Sequence, residues 1–227
     1  MSAINLHKRD FLEAAGNGLI PPLSLELPFC EPCLVHKALC RSRRSTRNTV
    51  LLESVKGSRN TARYSFIAFD PHLVFSAKDG EVRIEDIERG KRSVSRRTPL
   101  ERLHELLAAY PQRRDPGLPP FQGGAVGLLS YDFVRYFENI PRMAEDDLGI
   151  PDGHFMMADR VIAFDHLLRK AWVVVSPGAR RTELGYRDLS GTDWAKEYEE
   201  SEGVLQRISD ELSVTSHESP SPQPPLV

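Results

Sequence analysis

The stretch LVFSAKDGEVRIEDI, residues 73–87, decides the fold. Two strand-like runs, Leu73 to Ala77 and Val82 to Ile87, flank Lys78-Asp79-Gly80-Glu81. Asp-Gly between such runs predicts a tight hairpin, because glycine accepts the positive φ that the turn demands. Hairpin partners are antiparallel, so at least part of this chain is an antiparallel sheet.

The flanking sequence extends that pattern. Upstream, Thr49 to Glu53 and Tyr64 to Phe69 are apolar runs rich in strand formers. Downstream, Thr98 to Tyr110 reads as a helix. Thr98 is placed to cap it, Pro99 suits its first turn, Glu101 completes a capping box, and Leu100, Leu103, Leu107 and Tyr110 form one apolar stripe. The prolines of the segment Pro111 to Pro120 stop it. Phe121 to Ser130, apolar and glycine-rich, predicts a buried strand closely approached by other backbone. A short helix over Tyr131 to Asn139 is expected next. Phe155 to Phe164 and Ala171 to Ser176 read as a second antiparallel pair joined through Asp165-His166. Two more helices are expected, Pro32 to Leu39 and Asp193 to Leu212, the latter with Trp194, Tyr198, Leu205, Ile208 and Leu212 on one side. Strand runs between separate helices favour an α+β fold, a largely antiparallel sheet with packed helices, over alternating βαβ units.

Composition narrows the function. Hydrophobic residues make up 40% and charged residues 27%, as in an ordinary globular protein. The net charge of -2 gives no field to attract nucleic acid or an anionic membrane, so neither partner is expected. No run of about 18 apolar residues spans a bilayer, and charges at Lys8, Arg9, Asp10 and Glu13 interrupt any secretory core. Cys30, Cys33 and Cys40 are odd in number within one short stretch, which suits a reducing cytoplasm better than a disulfide framework.

Motifs for chemistry are weak. Cys30-Glu31-Pro32-Cys33 has the spacing of half a zinc site, but no second Cys/His pair completes it, so no metal is expected in this chain. Gly123-Gly124-Ala125-Val126-Gly127 lacks the pattern of a nucleotide loop. The carboxylate pairs Asp146-Asp147 and Glu199-Glu200 are sequence neighbours, which point different ways on a helix or strand. His154 and His166 sit near strand ends and read as structural. Catalytic residues are therefore expected to be absent.

Three blocks carry a resemblance. Leu51-Leu52-Glu53-Ser54, Arg63-Tyr64-Ser65-Phe66-Ile67 and Asp70-Pro71 form the first. Pro120 to Gly127, leading into Ser130-Tyr131-Asp132 and Arg135-Tyr136-Phe137-Glu138, form the second; Pro151-Asp152, Asp159 and Asp165-His166 form the third. In order and spacing they resemble the amino-terminal half of anthranilate synthase large subunits, from about Leu19 to Leu212. That resemblance implies a regulatory domain over residues 1–212 and a disordered Pro/Ser-rich interdomain linker over 213–227. It further implies a carboxy-terminal chorismate-binding domain, absent here, that holds the catalytic groups and Mg²⁺. The family converts chorismate to anthranilate and pyruvate with ammonia from a glutamine amidotransferase subunit. Its feedback inhibitor is tryptophan. The resemblance places Ser54 and Glu53 at the inhibitor's polar end and makes Arg63 the local candidate for its carboxylate, with the opposite wall in the absent domain. Two alternatives stay open. One is the related aminodeoxychorismate synthase of folate synthesis. The other is an assembly domain that docks a glutaminase subunit and binds no small molecule.

Overall fold

The computed structural model describes residues 3–42, 48–53, 63–109, 112–141, 143, 145–181, 184, 186 and 189–215. Its strands are β1 (Leu23–Leu27), β2 (Thr49–Glu53), β3 (Tyr64–Phe69), β4 (Leu73–Lys78), β5 (Glu81–Asp86), β6 (Lys91–Ser95), β7 (Gly124–Leu129), β8 (Gly153–Ala158), β9 (Arg160–Asp165) and β10 (Lys170–Val175). The helices are α1 (Lys8–Gly16), α2 (Pro32–Ser42), α3 (Pro99–Ala108) and α4 (Trp194–Thr215). The strands form two five-stranded sheets, ordered β1-β10-β9-β3-β2 and β6-β5-β4-β8-β7, with every pairing antiparallel. This is the α+β architecture that the residues 73–87 hairpin predicts. Asp79 and Gly80 both take positive φ, 48° and 78°, as a two-residue hairpin turn requires.

Side-chain alternation sorts the molecule into four layers. Along β3, Ile67 and Phe69 face α1, α2 and α4, where they join Phe11, Leu39, Leu205 and Ile208 in the largest core. Phe66 and Ala68 face the other way and meet Val126, Met156 and Ala158 of the second sheet. The outer face of the second sheet, with Leu73, Phe75, Val82 and Ile84, is covered by Leu103 and Leu106 of α3. The α4 stripe is as expected: Tyr198, Leu205, Ile208 and Leu212 are buried, and Trp194 packs against them. Gly203 interrupts that helix at a cost of about 1 kcal/mol relative to alanine.

Several expectations need correction. The run Phe155 to Phe164 is not one strand but two, divided at Asp159, where the chain leaves the second sheet for the first. Asp70 marks the opposite passage, from β3 to β4. Near Asp159 both strands are buried on both faces, so no alternation betrays the break. Phe121 to Ser130 is not a buried strand either: β7 is the edge of its sheet, and Gly127, Leu128 and Leu129 are exposed. In α3 the Thr98 side chain makes no capping bond. Its buried positions are Pro99, Arg102, Leu103 and Leu106, while Leu100 and Leu107 are exposed. Arg102 is tolerated inside because its guanidinium bonds Glu105 and the Leu184 carbonyl and stacks 5.0 Å from the Tyr186 ring. The helix expected over Tyr131 to Asn139 is a 3₁₀ turn over Tyr131–Tyr136. Finally, α4 continues through Thr215, taking in the first residues of the expected linker; residues 216–227 lie outside the described set.

The expected close approach at β7 does occur. A Cβ on Gly127 would overlap the carbonyl oxygen of His154 and sit 2.7 Å from Phe155 Cα, both backbone atoms of β8. Gly127→Ala should therefore force β7 off β8 and cost about 1–3 kcal/mol, the range typical of overpacking. Urea denaturation measures this; an unchanged midpoint would show that the edge strand simply shifts aside.

Candidate functional site

The carboxyl end of β2 supplies the first site residue. Glu53 ends this edge strand, is exposed, and stands opposite Ser65 in the register. Because β3 lies between β2 and β9, the same sheet end also gathers Arg63, Tyr64, Asp165 and His166, with Tyr64 opposite Asp165. Ser54 lies outside the described residues.

Arg63 is held rather than free. Its Nε and Nη2 donate to Asp165 Oδ2 at 3.0 and 2.6 Å, and its guanidinium lies 4.8 Å from the Tyr64 ring centre. Asp165 Oδ1 accepts the backbone N–H groups of Leu167 and Leu168, each at 3.0 Å. Burial opposes ionisation of Asp165, yet Arg63 and the two N–H groups outweigh it and hold the carboxyl below its ordinary range. Donating to Asp165 in turn raises the Arg63 pKa. Beneath this pair, Ser65 Oγ and His166 Nε2 are 2.8 Å apart, His166 N–H donates to the Arg63 carbonyl, and the His166 ring meets Phe29 edge-on at 5.8 Å. His166 is thereby bonded within the fold at both its ring and its backbone.

The arrangement sets a carboxylate, Glu53, and a guanidinium, Arg63, at one end of the sheet with no ion pair between them. Opposite charges so spaced suit a zwitterion, with the carboxylate meeting an ammonium and the outer edge of the guanidinium meeting a carboxylate. Sequence reasoning singled out Glu53 and Arg63 but not Asp165, the group that orients Arg63. The available signal was an aspartate closing an otherwise apolar strand.

Other sequence candidates stay apart. Cys30, Cys33 and Cys40 are free thiols, and burial pushes the Cys30 thiol up. Glu199 turns to Lys8 and Glu200 to Lys196. His154 pairs with Ser76 and Leu128 within its sheet. Among the described residues no three His, Cys, Asp or Glu side chains converge to hold a metal ion. No helix among them is long and apolar enough to cross a membrane.

A family model described as chorismate binding enzyme matches residues 47–221. The chain is 34% identical over 179 residues to anthranilate synthase component 1 of Acetivibrio thermocellus, covering 74% of this chain and 36% of that protein. It is 33% identical to aminodeoxychorismate synthase component 1 of Bacillus subtilis, covering 67% of this chain and 31% of that one. The solved structure of anthranilate synthase component I from Streptococcus pneumoniae superposes with a TM-score of 0.50 at 26% identity, over 81% of this chain and 35% of that one. The chain thus spans about a third of the length of the curated relatives it matches.

Proposed function

The chain belongs to the chorismate binding enzyme family, and we propose that it is the regulatory amino-terminal region of an anthranilate synthase large subunit, with Glu53, Ser54 and Arg63 forming one wall of a tryptophan pocket. The observation that carries this reading is the placement of Glu53 and a pre-oriented Arg63 at one sheet end, next in sequence to Ser54. In this reading Glu53 and Ser54 meet the inhibitor's ammonium, and the outer edge of Arg63 meets its carboxylate. Asp165 keeps the guanidinium aimed. The indole packs against the chorismate-binding part of the enzyme, which also carries Mg²⁺ and the chemistry; a glutamine amidotransferase subunit supplies ammonia. Tryptophan inhibits by preferring the arrangement of the two parts that is poor at chemistry. A cytoplasmic location belongs to the same reading.

Glu53→Ala in the complete enzyme should raise the tryptophan concentration for half-inhibition about tenfold, equivalent to about 1.4 kcal/mol, while leaving kcat near wild type. Steady-state inhibition curves test this. A curve superposable on wild type would remove Glu53 from the pocket.

The Bacillus subtilis match favours a second reading, the amino-terminal region of an aminodeoxychorismate synthase. Identifying the product of the complete enzyme separates the two. The exposed apolar side chains of Leu128, Leu129, Tyr131, Phe137, Met143 and Leu148 favour a third, in which this region chiefly docks a glutaminase subunit. In that case a pull-down with the subunit succeeds while tryptophan binding is absent.

A further inference from the structure

At the opposite end of β9 from Asp165, a cleft of about 490 Å³ opens between the sheet seam and α4. Five arginines line it: Arg89, Arg160, Arg180, Arg181 and Arg207. The carboxylates in its walls are already engaged. Asp159 takes Arg180 Nε and Nη2 at 2.7 and 3.1 Å, and Glu88 takes Arg180 Nη1. Glu197 takes Arg181, while Glu199 and Glu200 pair with Lys8 and Lys196. Arg89 is satisfied by Asp86 and by the Arg180 carbonyl.

That pairing leaves two guanidinium groups less fully engaged: Arg160, whose ion pairs are long, and Arg207, which has none among the described residues. Arg160 opens β9 with its side chain only 20% exposed, yet its carboxylate neighbours, Asp70 and Asp159, stand at 3.5 and 3.9 Å, and its buried Nε has no hydrogen-bond partner. Buried polar donors are almost always satisfied, so an orphan one in the wall of a polar cleft marks a guanidinium whose bonding is incomplete. Burial, and next the neighbouring Arg180 charge, depress the Arg160 pKa, and Asp159, Asp70 and Glu88 offset this only in part. Arg207 reaches the same cleft from α4 without an ion pair among the described residues. It does so across Gly203, where an added Cβ would come within 3.4 Å of Arg207 Nη1.

We propose that this cleft binds a small molecule bearing a compact oxyanion, a phosphate or a carboxylate, held between Arg160 and Arg207. The planar guanidinium fork matches both groups, and the volume suits a metabolite-sized ligand. The ligand bridges the first sheet and α4. The site lies at the far end of β9 from Glu53 and Arg63 and stands or falls independently of the tryptophan reading.

The test is calorimetry and thermal unfolding of the full 227-residue chain with inorganic phosphate, with malonate, and with sodium chloride at matched ionic strength. Phosphate or malonate should raise the unfolding temperature beyond chloride. Stabilisation by phosphate alone assigns phosphorylated ligands, by malonate alone carboxylated ones, and by both a general oxyanion site. Arg160→Lys, which keeps the charge but loses the Nε donor and the fork, should weaken binding at least tenfold. So should Arg207→Ala, a surface change that leaves folding intact and decides the matter should the first variant misfold. Stabilisation no greater than that by chloride, or binding unaltered in Arg207→Ala, overturns the proposal.

Discussion

Replacing Asp159 with alanine should lower folding stability by about 3–5 kcal/mol, the range for removing one partner of a buried ion pair. Asp159 sits where the chain passes between sheets, its side chain 4% exposed. Its carboxylate receives two bonds from Arg180 and faces His72 Nδ1 at 3.5 Å. Arg180 also reaches the carbonyl of Asp70, at the other passage between the sheets. The truncation therefore removes the buried carboxylate that holds Arg180 at this crossing, leaving the guanidinium only Glu88 and the Asp70 carbonyl. Urea unfolding of wild type and variant gives the value, and a loss below about 1 kcal/mol would mean the seam is held by apolar packing alone. The same group sets an acid limit. Burial works against its ionisation, but His72 and Arg180 outweigh burial and hold its pKa at about 2, against an ordinary 3.8. A folded-state pKa that is depressed contributes stability above the unfolded value and loses it as pH falls. Asp159 should thus contribute about 2 kcal/mol above pH 4 that disappears between about pH 4 and pH 2. Asp159→Asn should flatten that part of the profile.

Joining the chain to the rest of an anthranilate synthase large subunit should tighten tryptophan binding about a hundredfold. Burying an indole of about 150–250 Å² at about 25 cal/mol per Å² offers roughly 4–6 kcal/mol before entropic costs. The chain alone supplies charges at one end of the first sheet, and Glu53 there is exposed. In the proposed pocket it offers the ring one side of a sandwich. If half the apolar burial is lost, about 2–3 kcal/mol goes with it, or roughly 30- to 150-fold in affinity. Exposed charges contribute little to make up the difference, since water competes for them.

How much of this could be read from sequence follows from where the physics is local. The 73–87 hairpin was legible because Asp79 and Gly80 carry their turn geometry in their residue types. The α4 stripe was legible because its helical period survives in the sequence and Tyr198, Leu205, Ile208 and Leu212 bury together. β1 and β6 were not anticipated. LSLEL is short, and KRSVS carries the charges that edge strands use to discourage pairing. The division at Asp159 was hidden because Phe155 to Phe164 is buried through the break, and only the aspartate interrupts it. In the candidate site, Glu53 and Arg63 came from recognisable motifs. Asp165 is 102 residues from Arg63, and that pairing exists only after β3 and β9 align. The arginine cleft is likewise assembled from β9, the turn after β10, and α4, with no local motif to announce it.

The proposed pocket requires that Glu53, Ser54 and Arg63 hold an amino acid only in company with the remainder of the enzyme. Calorimetric titration of tryptophan into the 227-residue chain, and into the same chain fused to the chorismate-binding part of a large subunit, measures this directly. Weak or undetectable heat from the chain alone, with binding about a hundredfold tighter in the fusion and lost on Ser54→Ala, is the predicted result. Equal affinity in the two forms, or no binding in a fusion that makes anthranilate, contradicts it.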